Sequence, residues 1–101
     1  MPEFSTHLTF IFNPGHGWLK VPLAEIAALG IEEQISPLSF VEGNYAYLER
    51  DCDSHLYLDA LAAQGIPEPE ITDEYIDRFE RPPFHFHDSS LSKAFWDRLR
   101  R

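Results

Sequence analysis

Carboxylate, thiol and imidazole groups, which acid–base, nucleophilic and metal chemistry require, occur together at one place in this sequence. The segment DCDSH (51–55) places Cys52 between two aspartates and three residues before His55. A further imidazole, His16, lies between two glycines in the segment NPGHGWLKVP (13–22). If the fold brings His16 to the first segment, the two would form a small metal-assisted or hydrolytic site.

These residues also have a structural interpretation, which the sequence favours. A lone Cys-x-x-His spacing is far from a full zinc ligand set, and flanking carboxylates raise the pKa of a thiol rather than lower it. In the structural interpretation Asp51 or Asp53 caps the following helix and Cys52 packs as a small apolar group. His16 then belongs to a turn, and Trp18 is its buried anchor. We therefore predict no catalytic residue, no metal ligand and no cofactor.

A second histidine pair lies near the C-terminus in the segment FHFHD (84–88). If this segment is a strand, His85 and His87 lie on one face and could bind a metal together with Asp88. Alternation alone also explains the pattern, with Phe84 and Phe86 in the core and the imidazoles in water. We favour this second interpretation.

The acidic segment, residues 68–80, has the composition of a surface that binds cations on another protein. It contains six acidic side chains and one basic one, with aromatic residues between them. Carboxylates interleaved with aromatic side chains suit contacts with Arg and Lys, whereas the alternative is a solvated face whose aromatics point to the core. The candidate partner-binding residues are Glu68, Glu70, Asp73, Glu74, Tyr75, Asp77 and Glu80.

The uneven net charge restricts the kind of partner. Residues 1–80 contain fifteen acidic and three basic residues, a net −12, whereas residues 81–101 contain two acidic and five basic ones, a net +3. Neutralisation of phosphate supplies most of the affinity for nucleic acid, so the charge argues against direct nucleic-acid binding. It favours a basic protein or a protein–nucleic-acid complex, unless it serves solubility alone.

Turn residues between apolar runs predict two β-hairpins, each followed by a helix that ends at a glycine. The hairpins are residues 6–21 and 36–50, and the helices are LAEIAAL (23–29) before Gly30 and SHLYLDALAAQ (54–64) before Gly65. This ββα–ββα order predicts an α+β fold, in which the two hairpins form an antiparallel sheet with both helices on one face.

Beyond residue 66 the pattern is less regular. PEPE (67–70) predicts a stiff acidic connector, and residues 71–86 fit either a helix or strands. Apolar residues spaced four apart near the C-terminus predict an amphipathic terminal helix; they are Leu91, Phe95 and Leu99. Because the chain has 101 residues, we expect residues 1–101 to form a single domain, and its 44% of hydrophobic residues indicates that it is folded.

The cysteine count and the N-terminal residues indicate a compartment. A single cysteine forms no internal disulfide, which suits a reducing environment. The N-terminal apolar run is short and has no basic residue before it, so we expect neither a signal peptide nor a membrane span. The expected location is the cytoplasm, and the sequence leaves the oligomeric state open.

Two segments and a helix end carry a resemblance to a known group of proteins. NPGHGWLKVP (13–22), LGI (29–31) and ISPLSFVEGNYAYLERDCD (35–53) resemble the pattern of small uncharacterised proteins of bacteriophages and related mobile elements. The resemblance covers residues 6–66, whereas residues 67–101 depart from it. The group has no activity to carry over. It implies only a setting, a bacterial cell in which the protein acts for a mobile element.

The leading prediction is a non-enzymatic acidic protein that binds a basic surface of a host protein. By analogy with small acidic phage proteins, anti-CRISPR proteins among them, it would inhibit a defence or nucleic-acid-handling complex. The alternative is a small metal-assisted or hydrolytic enzyme that uses His16 and the Asp51-Cys52-Asp53 segment. A self-associating structural module is a third possibility.

Overall fold

A computed structural model of the chain describes residues 4–36 and 38–76. The strands are β1 (His7–Phe12), β2 (Gly17–Pro22), β3 (Phe40–Glu42), β4 (Tyr45–Glu49) and β5 (Glu70–Tyr75), and the helices are α1 (Leu23–Leu29), α2 (Asp53–Ala63) and a 3₁₀ helix (Glu32–Gln34). The five strands form one sheet in the order β3-β4-β2-β1-β5. The predicted α+β class is confirmed.

The turn that joins β1 and β2 in the first hairpin is stabilised by the side chain of Asn13. The Asn13 carboxamide oxygen accepts hydrogen bonds from the backbone N–H groups of Gly15 and His16, at 3.0 and 2.8 Å. The next residue is Gly17. A Cβ at this position would lie 2.4 Å from the ring of Phe10, so a larger residue would displace that ring. His16 therefore belongs to a turn, as predicted.

The two helices pack on one face of the sheet, which we call the helix face. α1 ends at Gly30, whose positive φ of 69° is the left-handed conformation that glycine adopts most readily. Leu23 and Ile26 of α1 and Tyr57 and Leu61 of α2 are almost fully buried. They form one apolar cluster with strand residues of β1–β4, namely Leu8, Leu19, Val21, Val41, Ala46 and Leu48.

A second, aromatic cluster lies on the opposite face of the sheet. Trp18, the predicted anchor, is buried there with Ile11, Phe40 and Tyr47. The rings of Phe40 and Tyr47 stack with centroids 4.7 Å apart, and Trp18 meets Phe40 edge-on at 5.6 Å. Aromatic pairs of this geometry are worth about 0.5–1.5 kcal/mol beyond the area that they bury.

The antiparallel sheet predicted from two hairpins is present in β1–β4, but the prediction is incomplete, because β5 pairs parallel with β1 along its whole length. Residues 70–75, which had been divided between a connector and an ambiguous segment, form this strand at the edge of the sheet. The parallel pairing joins segments about sixty residues apart, so no local turn signals it. The sheet is therefore mixed.

Two local predictions around α2 are also wrong. Neither Asp51 nor Asp53 caps the helix, because the N-cap position is Cys52 and no side chain there bonds to the helix. Cys52 is exposed rather than packed as an apolar group. The predicted C-terminal helix and the pair His85 and His87 lie outside the described residues.

Candidate functional site

Asp53, a candidate for chemistry, is instead a buried acceptor that holds a loop. Asp53 is only 3% exposed. Its carboxylate accepts hydrogen bonds from the Ser36 backbone N–H at 3.0 Å and from the Ser36 hydroxyl at 2.7 Å. The Ser39 hydroxyl also donates to it, and in turn accepts from the Glu49 backbone N–H. The carboxylate therefore fastens the loop before β3 to the start of α2.

Glu49 closes the chain between β4 and α2 in a similar way. Its Oε2 accepts hydrogen bonds from the backbone N–H groups of Asp51 and Cys52, both at 3.0 Å. His16 stacks against Trp18 with ring centroids 5.6 Å apart. In residues 4–36 and 38–76, no group of three or more His, Cys, Asp or Glu side chains is placed to hold a metal ion. These contacts give Asp53, Glu49 and His16 structural roles.

Cys52 has the electrostatic surroundings of an unreactive thiol. Desolvation raises its pKa, and the carboxylates of Glu49, Asp53 and Asp51 raise it further by disfavouring the thiolate. Because the thiolate is the nucleophilic form, a raised pKa lowers reactivity at neutral pH. An enzyme that uses a cysteine nucleophile needs the opposite shift.

We expect iodoacetamide to alkylate Cys52 at pH 8 about threefold or more slowly than an unstructured cysteine peptide. E49Q removes one of the carboxylates that raise the pKa and should increase the rate. D59N, a change in an exposed acid of α2 for which no contact with Cys52 is seen, should leave the rate unchanged. A wild-type rate above that of the peptide would contradict this account and restore Cys52 as a candidate nucleophile.

The edge strand β5 presents the acidic candidates to solvent. All six of its side chains are exposed, including the large apolar residues Tyr75 at 52% and Ile71 at 39%. Glu68, just before the strand, is also exposed. Tyr75 therefore does not point to the core, as the solvated-face alternative required, although its ring meets Phe12 edge-on at 5.4 Å. Asp77 and Glu80 lie outside the described residues.

The register of β5 against β1 fixes which way each residue points. The backbone N–H groups of Glu70 and Ile76 donate to β1, so even-numbered residues of the strand direct their backbone polar groups inward. The backbone groups of the odd-numbered residues then face outward from the sheet; these are Ile71, Asp73 and Tyr75. Side chains alternate in step, so the odd-numbered ones lie on the helix face and Glu70, Thr72 and Glu74 on the opposite face.

A shallow cleft lies on this opposite face, lined by residues of β1, β2 and β4, and His7 of its lining also contacts β5. His7 connects the two, because its Nε2 lies 2.8 Å from the Thr72 hydroxyl and its Nδ1 lies 3.8 Å from a Glu70 carboxylate oxygen. Lys20 sits over the ring of Tyr45, 4.4 Å from the centroid. The cleft holds about 220 Å³, which is below the range of roughly 300–1,000 Å³ usual for small-molecule sites.

Comparisons with protein-family models, curated proteins and solved structures give no match. The phage-type resemblance therefore stays a prediction, and the function has to be argued from the geometry. Among the described residues, no helix has the length and apolar character needed to cross a membrane.

Sequence reasoning found the acids of β5 but not their arrangement at a sheet edge. The signal was weak, since Ile71, Thr72 and Tyr75 favour strands while the charged residues between them do not. It also missed that Glu25 and Asp53, two of the seventeen acids, are buried. Both accept hydrogen bonds from serines, and such pairs of distant residues leave no spacing pattern in the sequence.

Proposed function

We propose that this protein is a non-enzymatic binding protein that uses β5 to engage a basic surface of another protein. The observation that carries the proposal is an edge strand in which every side chain is exposed, three are acidic and two are large and apolar. Exposed apolar side chains rimmed by charge are typical of protein-binding surfaces. The candidates within β5, namely Glu70, Asp73, Glu74 and Tyr75, are therefore accessible on the two faces of one edge strand.

The carboxylates of β5 are available to a partner. The Glu70 side chain is 90% exposed, and one of its carboxylate oxygens lies 3.8 Å from the imidazole Nδ1 of His7. Asp73 and Glu74 form no ion pair within residues 4–36 and 38–76. Exposed ion pairs contribute only about 0–1 kcal/mol each, so the row would act mainly by steering a cationic partner and by rejecting anionic ones.

The partner in this proposal is a basic host protein or a protein–nucleic-acid complex, and binding inhibits it. The net charge of −9 supports this choice, because it disfavours direct contact with nucleic acid and favours surfaces that themselves bind nucleic acid. The phage-type resemblance of residues 6–66 supports a bacterial cytoplasm as the setting and a defence complex as the target.

The small-enzyme alternative has less support. It needs the Asp51-Cys52-Asp53 segment to supply a free carboxylate or a thiolate next to His16. The Asp53 carboxylate is occupied by hydroxyl and N–H donors, and the pKa of Cys52 is raised. The His16 ring lies against the ring of Trp18, with centroids 5.6 Å apart.

Charge reversal on β5 tests the proposal. We expect the tagged wild-type protein to capture a basic protein from a bacterial lysate at about 0.1 M salt and to release it near 1 M, where the Debye length falls from about 10 to about 3 Å. The variant E70K/D73K/E74K should reduce capture about tenfold or more, because three attractions become repulsions.

A matched variant separates the position of the charges from their number. E42K/D51K/D59K makes the same change in net charge at exposed sites outside β5 and should retain the captured protein. Equal losses in the two triple variants would show that net charge alone drives capture. Capture that neither variant reduces, or that salt does not weaken, would contradict the proposed function.

A further inference from the structure

The outer edge of β5 has unpaired backbone groups of the kind that receive another strand. β5 pairs with β1 on one side, and within the described residues no strand pairs with its other side. The outward N–H and C=O groups belong to Ile71, Asp73 and Tyr75, and none of these three has a further hydrogen bond to another residue of 4–36 or 38–76. An exposed edge of this kind is a template for strand addition.

Resting on the proposed function, we infer that the partner contributes an extended basic segment that adds to β5 as a sixth strand. Such pairing explains why recognition would lie on a strand rather than on a loop or a helix. Backbone hydrogen bonds supply attraction that does not depend on the partner's side chains, and alternate side chains supply the selectivity.

The side chains of β5 specify an alternating partner sequence. On the opposite face Glu70 and Glu74 flank Thr72, so the residues of the incoming strand on that face should be Lys or Arg. On the helix face Ile71 and Tyr75 flank Asp73 and expose apolar surface, so the residues there should be β-branched or aromatic. The partner segment is therefore a strand in which basic and apolar residues alternate.

The same charges argue against a second copy of this chain as the occupant. Edge-to-edge pairing of two β5 strands would bring their carboxylates within a few ångströms of each other across the new ladder, where like charges are destabilising. The basic residues of the proposed segment place complementary charge against Glu70 and Glu74 on the opposite face. The charges therefore exclude self-association while they admit the proposed partner.

An antiparallel addition is the commoner geometry and defines which partner amides matter. Residues opposite each other in an antiparallel pair share a face, and the outward amides of β5 belong to its helix-face residues Ile71, Asp73 and Tyr75. The partner's apolar residues are then those whose N–H groups point at β5. Its basic residues direct their N–H groups away from the sheet.

Two N-methylated peptides test this inference. The parent is a peptide of about eight residues in which Lys alternates with Val, a length that spans a typical strand. We expect it to bind the full chain. N-methylation of its Val residues should weaken binding at least about tenfold, because those amides can no longer donate, whereas methylation of its Lys residues should leave affinity within about threefold. The reverse order would support parallel strand addition.

Hydrogen exchange gives an independent readout on the protein. Binding should slow exchange at the amides of Ile71, Asp73 and Tyr75, while Thr72 and Glu74 already donate to β1 and should change little. A scrambled peptide of the same composition with its lysines contiguous should not give this alternation. Alternating protection on β5 would support strand addition.

Several outcomes would overturn the inference while leaving the proposed function intact. These are equal affinity of the two methylated peptides, binding without protection of the odd-numbered amides, and no peptide binding by a protein that still captures a basic partner through β5. A dimer formed by the wild-type chain through β5 would also overturn it. A wild-type chain that binds the peptide but captures no basic protein from the lysate would instead contradict the proposed partner.

Discussion

D53A is expected to lower the free energy of unfolding by about 3 kcal/mol, because it removes a buried carboxylate that accepts several hydrogen bonds. The substitution removes the acceptor of hydrogen bonds from the Ser36 N–H, the Ser36 hydroxyl and the Ser39 hydroxyl. Because Asp53 is buried, these donors would have no water to replace it. Hydrogen bonds to charged groups contribute about 1.5–3 kcal/mol, and unsatisfied buried donors cost a similar amount.

Urea unfolding followed by circular dichroism measures this loss, and D51A is the matched control. Asp51 carries the same charge two residues away, but its side chain is 77% exposed and its ion pair with Arg50 is long, at 3.6 Å. D51A should change the free energy of unfolding by no more than about 0.5 kcal/mol. Similar small effects of both changes would show that the Asp53 network does not hold the loop to α2.

The Asp53 network also gives structural roles to polar residues of a segment that the sequence offered as a candidate site. Ser36, Ser39, Glu49 and Asp53 are widely spaced in the segment ISPLSFVEGNYAYLERDCD (35–53), yet they form one connected set of hydrogen bonds. These polar residues therefore hold the loop before β3 against the start of α2.

The parts of the fold that the sequence predicted are those set by short-range rules. Asn13 closes the first hairpin, Gly30 stops α1 in the left-handed conformation, and Trp18 turns inward from a strand that begins at Gly17. Each depends on neighbours within a few residues, so turn chemistry and periodicity suffice. The same rules placed α2 almost correctly, between residue 53 and Gly65.

The parts that failed depend on distant residues. β5 shows no alternation between buried and exposed side chains, because as an edge strand it is exposed on both faces. Its position follows from pairing with β1, which residue spacing does not encode. For the same reason the acids of the candidate site were found by composition, while their arrangement on an edge, and the burial of Glu25, needed the structure.

Y57F is expected to cost about 2 kcal/mol at neutral pH, through the second buried carboxylate. Tyr57 of α2 is fully buried, and its hydroxyl donates to a Glu25 carboxylate oxygen at 2.8 Å. The same carboxylate accepts from the Ser5 backbone N–H and hydroxyl, at 3.0 and 2.5 Å, so it joins the N-terminal segment to both helices. Without the Tyr57 hydroxyl, the buried carboxylate of Glu25 has one hydrogen-bond donor fewer.

The pH dependence of the same variant provides a second, opposite signature. Burial, together with the hydrogen bond to Glu25 and its charge, raises the pKa of Tyr57 far above its ordinary value. Tyrosine in the unfolded chain loses its proton near pH 10, whereas the folded form keeps it, so rising pH favours the unfolded state. The stability that Tyr57 contributes is therefore complete below about pH 10 and falls by up to about 1.4 kcal/mol per pH unit above it.

Unfolding curves of the wild type and Y57F from pH 7 to about pH 11 should therefore converge, because phenylalanine has no proton to lose. Burial and the charge of Glu42 also raise the pKa of Tyr47, but that contribution is common to both proteins. Y45F is the control at neutral pH, since Tyr45 is 40% exposed and its change should alter the free energy of unfolding by no more than about 0.5 kcal/mol. A constant gap between wild type and Y57F across this range would mean that Tyr57 is not held protonated against Glu25. A gap that closes would show that the folded chain holds the Tyr57 proton against the buried carboxylate of Glu25.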